Sequence, residues 1–178
     1  MDQDNTKKLT IYMAGGLFDA YKRLGNILLA KALKPLFKED VTIILPQNEA
    51  AKFLGEDGIF DMAKCSLECA MYCTVNDIVL ANIDGAQASS GTSLEVGLAL
   101  YKKLHPDDKK RPIVITYRTD IRTDVKKEAG RSGMYELADD FIYEPAYPKG
   151  EEELLQLIER LAQRLHQAIQ AQLKIQRP

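Results

Sequence analysis

The sequence predicts a single α/β domain, a doubly wound sheet of the Rossmann-like or flavodoxin-like type with five parallel strands and flanking helices. Short apolar runs alternate with longer amphipathic segments from about residue 9 to residue 145, which is the order of elements in such folds. The apolar runs are rich in β-branched residues and lack polar alternation, as expected for strands covered by helices on both faces. With 178 residues, of which 46% are hydrophobic, the chain is long enough for one core.

The first two predicted strands are short apolar runs that end in turn-forming residues. Leu9–Met13 ends at Ala14-Gly15-Gly16, and Val41–Leu45 ends at a proline. Between them, from Asp19 to Phe37, apolar residues recur every three or four positions, which predicts a helix. A loop with two glycines follows the second strand and leads to a second predicted helix, from about Ile59 to Cys73.

The second half of the chain repeats this alternation. Asp77–Ile83 is a third predicted strand and runs into a loop of small residues, Asp84–Gly91. Periodic apolar residues then predict a helix, and two further β-branched or aromatic runs predict the last strands. These three elements are Thr92–Leu104, Pro112–Thr116 and Asp140–Tyr143.

The C-terminal segment predicts an amphipathic helix over about residues 151–173. We expect its apolar stripe to pack on the chain's own sheet, and a subunit interface is the alternative. The stripe consists of Leu154, Ile158, Leu161, Leu165 and Ile169.

The charge of the chain excludes some classes of partner. Lys and Arg number 24 against 26 Asp and Glu, so the formal net charge is −2. Proteins that bind nucleic acids or anionic membranes present a concentrated positive field, so neither partner is expected. No apolar run approaches the roughly 18 residues of a membrane span, and no apolar segment follows the charged N-terminus as in a signal peptide. We therefore expect a cytoplasmic protein.

Three cysteines follow one another at i, i+4 and i+8 on a predicted helix: Cys65, Cys69 and Cys73. Thiols along one helix face do not meet in disulfide geometry, and no further ligand pair stands nearby to complete a zinc site. We interpret them as reduced, partly buried thiols. The histidines, His105 and His166, are isolated in charged segments that we expect to be exposed, so neither a metal site nor histidine-based chemistry is expected.

Ligands of doubly wound sheets bind beyond the carboxyl ends of the strands, and four predicted loops lie there. They are Gly15–Phe18, Pro46–Glu49, Asp84–Gly91 and Tyr117–Ser132. The last of these is long for a connection and mixed in charge. Long loops in compact domains are usually functional or mobile.

The stretch Asp84–Gly97 carries the most informative chemistry. Its small residues let a ligand approach the backbone closely, and Thr92 or Ser93 can cap the following helix, which places Glu95 in the first turn. One interpretation is structural, because a first-turn Glu complements the helix dipole and completes a capping box with Thr92. The other is catalytic, with Glu95 as nucleophile or acid–base group and Tyr12 as its hydrogen-bond donor.

Six motifs together give the chain a resemblance to a known family. They are IYMAGGLF, ILPQ, NDIVLANIDG, SGTSLEVGLA, YRTDIRTD and GMYELAD. IYMAGGLF resembles the family's IYLAGPLF, and SGTSLEVGLA resembles its SGTxxExGYA. Over about Thr10 to Ile142 the chain is similar to the nucleoside 2-deoxyribosyltransferases, which include the related 2'-deoxynucleoside 5'-monophosphate N-glycosidases. Each motif is weak alone, and the combination is specific.

The resemblance implies a retaining reaction at the anomeric carbon of a 2'-deoxyribonucleoside. Glu95 matches the glutamate that forms a covalent deoxyribosyl intermediate, and Tyr12 matches the tyrosine that orients it. The sugar then passes from the glutamate to another nucleobase or to water. This chemistry needs no cofactor or metal, because a carboxylate carries it.

The substrate-binding positions that the resemblance implies come from several loops. Phe18 and Gln47 would hold the base, and the Gly15-Gly16 backbone would approach the sugar. Gly91 and Met134 lie in the matching motifs near the nucleophile and in the late loop. In the family a late-loop residue is donated across a subunit interface, so a homo-oligomer with shared active sites is implied.

Three positions depart from the family's pattern. Ser89 stands where transferases have Asp, Ser132 where they have Asn, and Cys69 where an Asp or Asn contacts the base. A serine hydroxyl can hold a phosphate that a carboxylate would repel, and Arg131 could add positive charge. The related N-glycosidases place serines at the first two positions. The motifs as a whole imply a deoxyribosyltransferase, and Ser89 and Ser132 make a hydrolase of 5'-monophosphates the alternative.

Cys69 leaves the departing base without an obvious acid, since a thiol is a poor proton donor compared with a carboxyl group. Asp84 or Glu68 could take that role, or the base could leave through water. A chain that kept the pocket and lost the acid would be a non-catalytic nucleotide-binding module, which is a further alternative.

Overall fold

The computed structural model describes residues 8–38, 41–85, 88–105, 111–122 and 133–176. These residues form a five-stranded, all-parallel sheet with helices on both faces, so the predicted fold class is confirmed. The strands are β1 Leu9–Ala14, β2 Val41–Ile44, β3 Ile78–Asn82, β4 Ile113–Arg118 and β5 Asp140–Tyr143. The helices are α1 Ala20–Leu33, α2 Pro46–Ala50, α3 Met62–Val75, α4 Ser90–Leu104 and α5 Glu151–Gln176.

The strands lie in the order β2-β1-β3-β4-β5. The chain therefore leaves β1 in one direction, toward β2, and then returns past β1 to build β3, β4 and β5 on its other side. Tyr12 of β1 stands between Ile44 of β2 and Val79 of β3. Ligands of such sheets bind at the carboxyl ends of the strands where the order reverses, which here are the ends of β1 and β3.

Alternate residues of the strands belong to two separate cores. On one face, Ile11 packs with Leu33 of α1 and Leu165 of α5. On the other face, Tyr12 packs with Val96 of α4 and with residues of α3. Because both faces are buried, the strands need apolar residues at every position, which is why their sequences show no polar alternation.

The C-terminal helix packs as the sequence predicts. Ile158, Leu161, Leu165 and Ile169 are buried in the core that α5 shares with α1 and the sheet. Leu154, at the start of the stripe, is 39% exposed. The expected packing on the chain's own core is therefore confirmed for all of the stripe except its first residue.

Two helical regions differ from their predictions. Helix α2 and a 3-10 turn over Ala51–Phe53 follow β2 where a loop is expected. Pro46 stands at the first helical position, where a missing N–H removes no hydrogen bond. Helix α4 begins at Ser90, because the Ser89 hydroxyl accepts the N–H of Thr92 and caps the helix. Glu95 therefore lies in the second turn, and the capping box predicted with Thr92 is wrong.

The cysteines and one histidine agree with the sequence predictions. All three cysteines are free; two are buried, and Cys69 is partly buried. His105 is exposed, but His166 is partly buried and packs edge-on to Phe37 with ring centroids 4.8 Å apart. The predicted exposure of His166 is therefore wrong, because α5 carries its ring against the segment after α1.

The described residues contain neither a membrane-spanning helix nor a cluster of metal ligands. None of the helices there has the length and apolar character needed to cross a membrane. In the same part of the chain, no three His, Cys, Asp or Glu side chains lie together in a group that could hold a metal ion.

Candidate active site

The candidate site is centred on Tyr12, near the carboxyl end of β1. Its ring is fully buried in the core that faces α3 and α4. Its hydroxyl donates a hydrogen bond of 2.6 Å to Oε1 of Glu95. The two residues are 83 positions apart in the sequence, and they meet because α4 packs across the sheet face that Tyr12 occupies.

Glu95 lies on the buried side of α4, together with Thr92, Val96 and Ala99. It is only 8% exposed, and its burial raises the pKa of its carboxyl to about 7, although the Tyr12 hydrogen bond acts in the opposite direction. Burial and the charge of Glu95 raise the pKa of the Tyr12 hydroxyl well above its usual value. The pair is therefore a neutral donor and a carboxyl group that titrates near neutral pH.

Helix α3 covers the ring of Tyr12. Tyr72 stacks on this ring with centroids 5.7 Å apart, and the thiol of Cys69 interacts with the Tyr12 hydroxyl. Burial raises the pKa of Cys69 to about 11 and that of Cys73 to about 12, so both thiols stay protonated at neutral pH. Cys69 thus presents a neutral thiol at the position where the resemblance implies a contact to the base.

A second cluster of polar side chains connects the α2 region to α3. The hydroxyl of Tyr72 lies 2.9 Å from Glu49 and 2.6 Å from Glu68, and Lys52 forms an ion pair of 2.5 Å with Glu68. Lys52 and then Tyr72 hold the pKa of the Glu68 carboxyl below its usual value, so this group carries no proton to donate at neutral pH. Glu49 and Tyr72 are not among the predicted site residues. The i, i+4 spacing of Glu68 and Tyr72 is the sequence signal that could have predicted one of these contacts.

The loop after β1 follows the strand that carries Tyr12. Gly15-Gly16 follows the strand directly, and Phe18 is 61% exposed with its ring edge-on to Phe60. The amide of Gln47 donates to a backbone carbonyl of α1 at 3.2 Å and lies 3.4 Å from the amide of Asn26. Phe18 therefore provides an exposed aromatic surface, whereas Gln47 connects α2 to α1.

Ser89 and Gly91 lie at the amino end of α4. The Ser89 hydroxyl accepts the N–H of Thr92 at 3.2 Å and lies 2.7 Å from the Thr92 hydroxyl. Gly91 is exposed, and a Cβ placed on it would meet no atom within 4 Å. The N–H groups and dipole at the start of a helix favour an anion, so this end of α4 is suited to negative charge on a substrate.

The structure describes only one of the predicted site residues that follow β4. Ser132 and Arg131 lie outside the described residues. Met134 belongs to the 3-10 turn Gly133–Leu137 and is 68% exposed.

Asp84 contacts the neighbouring loop rather than the Tyr12–Glu95 pair. Its carboxylate accepts hydrogen bonds from the N–H of Thr119 at 2.6 Å, from the Thr119 hydroxyl at 2.8 Å and from the N–H of Asp120 at 2.8 Å. Both carboxylate oxygens are engaged in this way. Of the predicted residues, the structure thus brings Tyr12, Cys69 and Glu95 together and directs Asp84 elsewhere.

No protein-family model and no curated protein sequence matches the chain. A conserved protein from Enterococcus faecalis V583 is 22% identical, with 86% of this chain and 99% of that chain covered and a TM-score of 0.59. An NAD(P)H:quinone oxidoreductase from Methanothermobacter marburgensis is 8% identical, with coverages of 89% and 98% and a TM-score of 0.53. A 2-desoxiribosyltransferase from Leishmania mexicana is 19% identical, with coverages of 67% and 70% and a TM-score of 0.46. Likeness at such identities shows the fold alone.

Proposed function

We propose that this chain is an enzyme that cleaves the N-glycosidic bond of 2'-deoxyribonucleosides or their 5'-monophosphates, with Glu95 as the nucleophile. The observation that supports this most strongly is the buried 2.6 Å hydrogen bond from Tyr12 to Glu95. It orients one carboxylate oxygen, Oε1, so that the second, Oε2, attacks. The motifs that resemble the nucleoside 2-deoxyribosyltransferases support the same assignment.

In the first step, Oε2 of Glu95 forms a bond to the anomeric carbon while the bond from that carbon to the base nitrogen breaks. The base leaves with the bonding electron pair and takes up a proton from water. The product is an ester between Glu95 and the deoxyribosyl group. A carboxylate nucleophile divides one difficult displacement into two easier ones, as in retaining glycosidases.

In the second step, a nitrogen of another nucleobase or a water oxygen attacks the same carbon and loses a proton. The ester bond breaks, and its electron pair returns to Glu95. Tyr12 donates its hydrogen bond to the departing carboxylate, which stabilises the charge that forms on it. Transfer and hydrolysis differ only in the acceptor, and we propose transfer to a nucleobase as the main activity.

Ser89 favours a second candidate function, the hydrolysis of 5'-monophosphates. Its hydroxyl and the first N–H groups of α4 lie together at the helix start. A phosphate dianion is attracted to such an end, and no carboxylate stands at position 89 to repel it. A Ser89→Asp variant should therefore lose activity toward monophosphates far more than toward unphosphorylated nucleosides.

The test is incubation with a panel of 2'-deoxynucleosides and their 5'-monophosphates, with and without an added free base, followed by chromatography of the products. Base exchange identifies a transferase, and free deoxyribose or its 5-phosphate identifies a hydrolase. Ligand-dependent thermal stabilisation without turnover would instead indicate a nucleotide-binding module.

The covalent step has its own test. Rapid quenching during turnover and mass spectrometry of the digested protein should find a deoxyribosyl adduct on the peptide that contains Glu95, and Glu95→Gln should abolish both adduct and turnover. Glu159→Gln, on the exposed side of α5, is the matched control and should keep both. Full activity in Glu95→Gln would refute the proposal.

A further inference from the structure

The loops after β3 and β4 are joined by reciprocal hydrogen bonds at the carboxyl edge of the sheet. Asp84 in the first loop accepts the N–H groups of Thr119 and Asp120 in the second. Asp120 in turn accepts the N–H of Gly85 at 3.1 Å, and its other contacts include the guanidinium of Arg122. We name residues 84–85 and 119–120 the loop lock, because each loop supplies a carboxylate that binds the backbone of the other.

Arg118 lies beneath the loop lock, at the last position of β4. It is 2% exposed, and its guanidinium donates to the carbonyls of Ile83 at 2.9 Å and Gly85 at 2.8 Å. The carboxylate of Asp120 is 3.9 Å away. The rigid fork of an arginine matches two acceptors at a fixed separation, which the single ammonium of a lysine cannot do.

Burial of the Arg118 guanidinium carries a desolvation cost. Its Nε and the hydroxyl of Thr116 are buried polar atoms without a hydrogen-bond partner in the described part of the chain, and both belong to the same face of β4. Removing an ion from water costs several kcal/mol, and a well-packed apolar residue often stabilises a fold equally well. The two hydrogen bonds of the Arg118 guanidinium connect the end of β4 to the carbonyls of Ile83 and Gly85.

The loop after β3 connects this strand to α4 in the sequence. The loop leads from β3 to Ser89, which caps α4, and Glu95 follows in the second turn. Arg118 lies on the same sheet face as Val114, which packs in one core with Tyr12 and Val96. Arg118 and the Tyr12–Glu95 pair therefore lie on the same side of the sheet.

We propose that Arg118 is a positioning residue for the reaction at Glu95. By holding the carbonyls of Ile83 and Gly85, it sets the entry of the chain into the helix that carries both the nucleophile and Ser89. This inference rests on the proposed function. A small displacement of the nucleophile lowers the rate of the chemical step, while binding of the base, on the α2 and α3 side of the site, is left largely unchanged.

The kinetic test compares Arg118→Lys with Arg164→Lys. Arg118→Lys keeps the charge and loses the fork, so we expect kcat to fall about 10- to 100-fold while KM changes by less than about threefold. Arg164 donates to a backbone carbonyl and to Glu144, between β5 and α5, so its lysine variant should keep the wild-type kcat. A kcat within about twofold of wild type in a folded Arg118→Lys protein would overturn the proposal.

Amide hydrogen exchange supplies a measurement that does not depend on turnover. The N–H groups of Gly85, Thr119 and Asp120 should be protected in the wild type and should exchange at least about tenfold faster in Arg118→Lys. Unchanged exchange would show that Arg118 does not hold the loop lock, which overturns the proposal. Asp120→Asn, which removes a charge from the loop lock, replaces Arg118→Lys if the latter does not fold. This variant should show both a lower kcat and faster amide exchange. A wild-type kcat in Asp120→Asn would equally overturn the proposal.

The proposed function and the role of Arg118 can be refuted separately. Full turnover by Glu95→Gln, or no turnover of any member of the substrate panel, refutes the proposed function and the role of Arg118 with it. Loss of turnover in Glu95→Gln together with wild-type kcat in Arg118→Lys refutes the role of Arg118 alone.

Discussion

Two carboxylates at the carboxyl edge of the same sheet, Glu95 and Asp120, have opposite environments. Glu95 accepts a hydrogen bond from Tyr12 within a largely apolar core, and burial raises its pKa to about 7. Asp120 accepts hydrogen bonds from Arg122 and from the backbone, chiefly the former, which hold its pKa well below the usual range. Burial raises the pKa of Glu95, whereas hydrogen bonds from a guanidinium and from the backbone lower that of Asp120. The same residue type can therefore differ widely in charge at neutral pH.

Replacing each carboxylate by its amide should separate the two roles most strongly. Glu95→Gln should lower kcat by at least about 10³-fold, with a melting temperature equal to or above that of the wild type, because no buried charge remains. Asp120→Asn should lower the melting temperature and reduce kcat by a smaller factor. Steady-state kinetics and thermal unfolding of both variants check this, and a larger kinetic loss in Asp120→Asn would contradict the comparison.

The pH dependence of stability should have opposite signs for the two groups. The folded-state pKa of Glu95 is raised from 4.5 to about 7, so its contribution to stability is present below pH 4.5 and is lost as the pH rises through 7. The loss is on the order of 3 kcal/mol. The pKa of Asp120 is lowered from 3.8, so its contribution is present above that pH and is lost in acid.

Denaturant unfolding at pH 4.5 and pH 8 should detect the Glu95 contribution as a difference between wild type and Glu95→Gln. The free energy of unfolding of the wild type should fall relative to that of the variant between the two pH values. A parallel change in both proteins would show that Glu95 ionises normally.

Tyr12→Phe tests the contribution of the Tyr12 hydroxyl, because it leaves Glu95 without this hydrogen-bond donor. Because a hydrogen bond to a charged group contributes about 1.5–3 kcal/mol, Tyr12→Phe should lower kcat/KM roughly 10- to 100-fold at neutral pH. The acidic limb of the pH profile should also move to higher pH, since the bond from Tyr12 lowers the Glu95 pKa. Tyr101→Phe, at an exposed position of α4, is the control and should change neither quantity.

The smallest expected effect concerns the start of the Glu95 helix. Ser89→Ala removes the hydroxyl that caps α4 and should lower the free energy of unfolding by about 1 kcal/mol. Ser90→Ala, at the next and exposed position, should change it by less. Equal changes in the two variants would show that the cap is not the origin of the effect.

Much of the fold could be predicted from the sequence, because each strand and helix depends on a local pattern of apolar residues. The Tyr12 and Glu95 positions also follow from local motifs at strand and helix ends. The short helix at Pro46 and the first turn of α4 were beyond such patterns. In both regions a single residue, Pro46 or Ser89, decides where the helix begins.

The candidate site was less predictable wherever a side chain depends on distant neighbours. Asp84 is a plausible acid in the sequence, yet its partners Thr119 and Asp120 lie 35 and 36 residues further along the chain. Glu68 likewise loses its suitability as an acid through Lys52, 16 residues away. Such partners are brought close by the order of the strands and helices, which no local spacing reveals.

The sequence by itself therefore determined the parallel α/β fold and the residue types available at the carboxyl edge of its sheet, because hydrophobic periodicity and turn residues act over a few positions. Only the tertiary structure decided which carboxyl group is buried beside a neutral donor and which is surrounded by N–H groups and guanidinium. The physical reason is that desolvation and hydrogen bonding, which set the charge of Glu95 and Asp120, depend on every group packed around them.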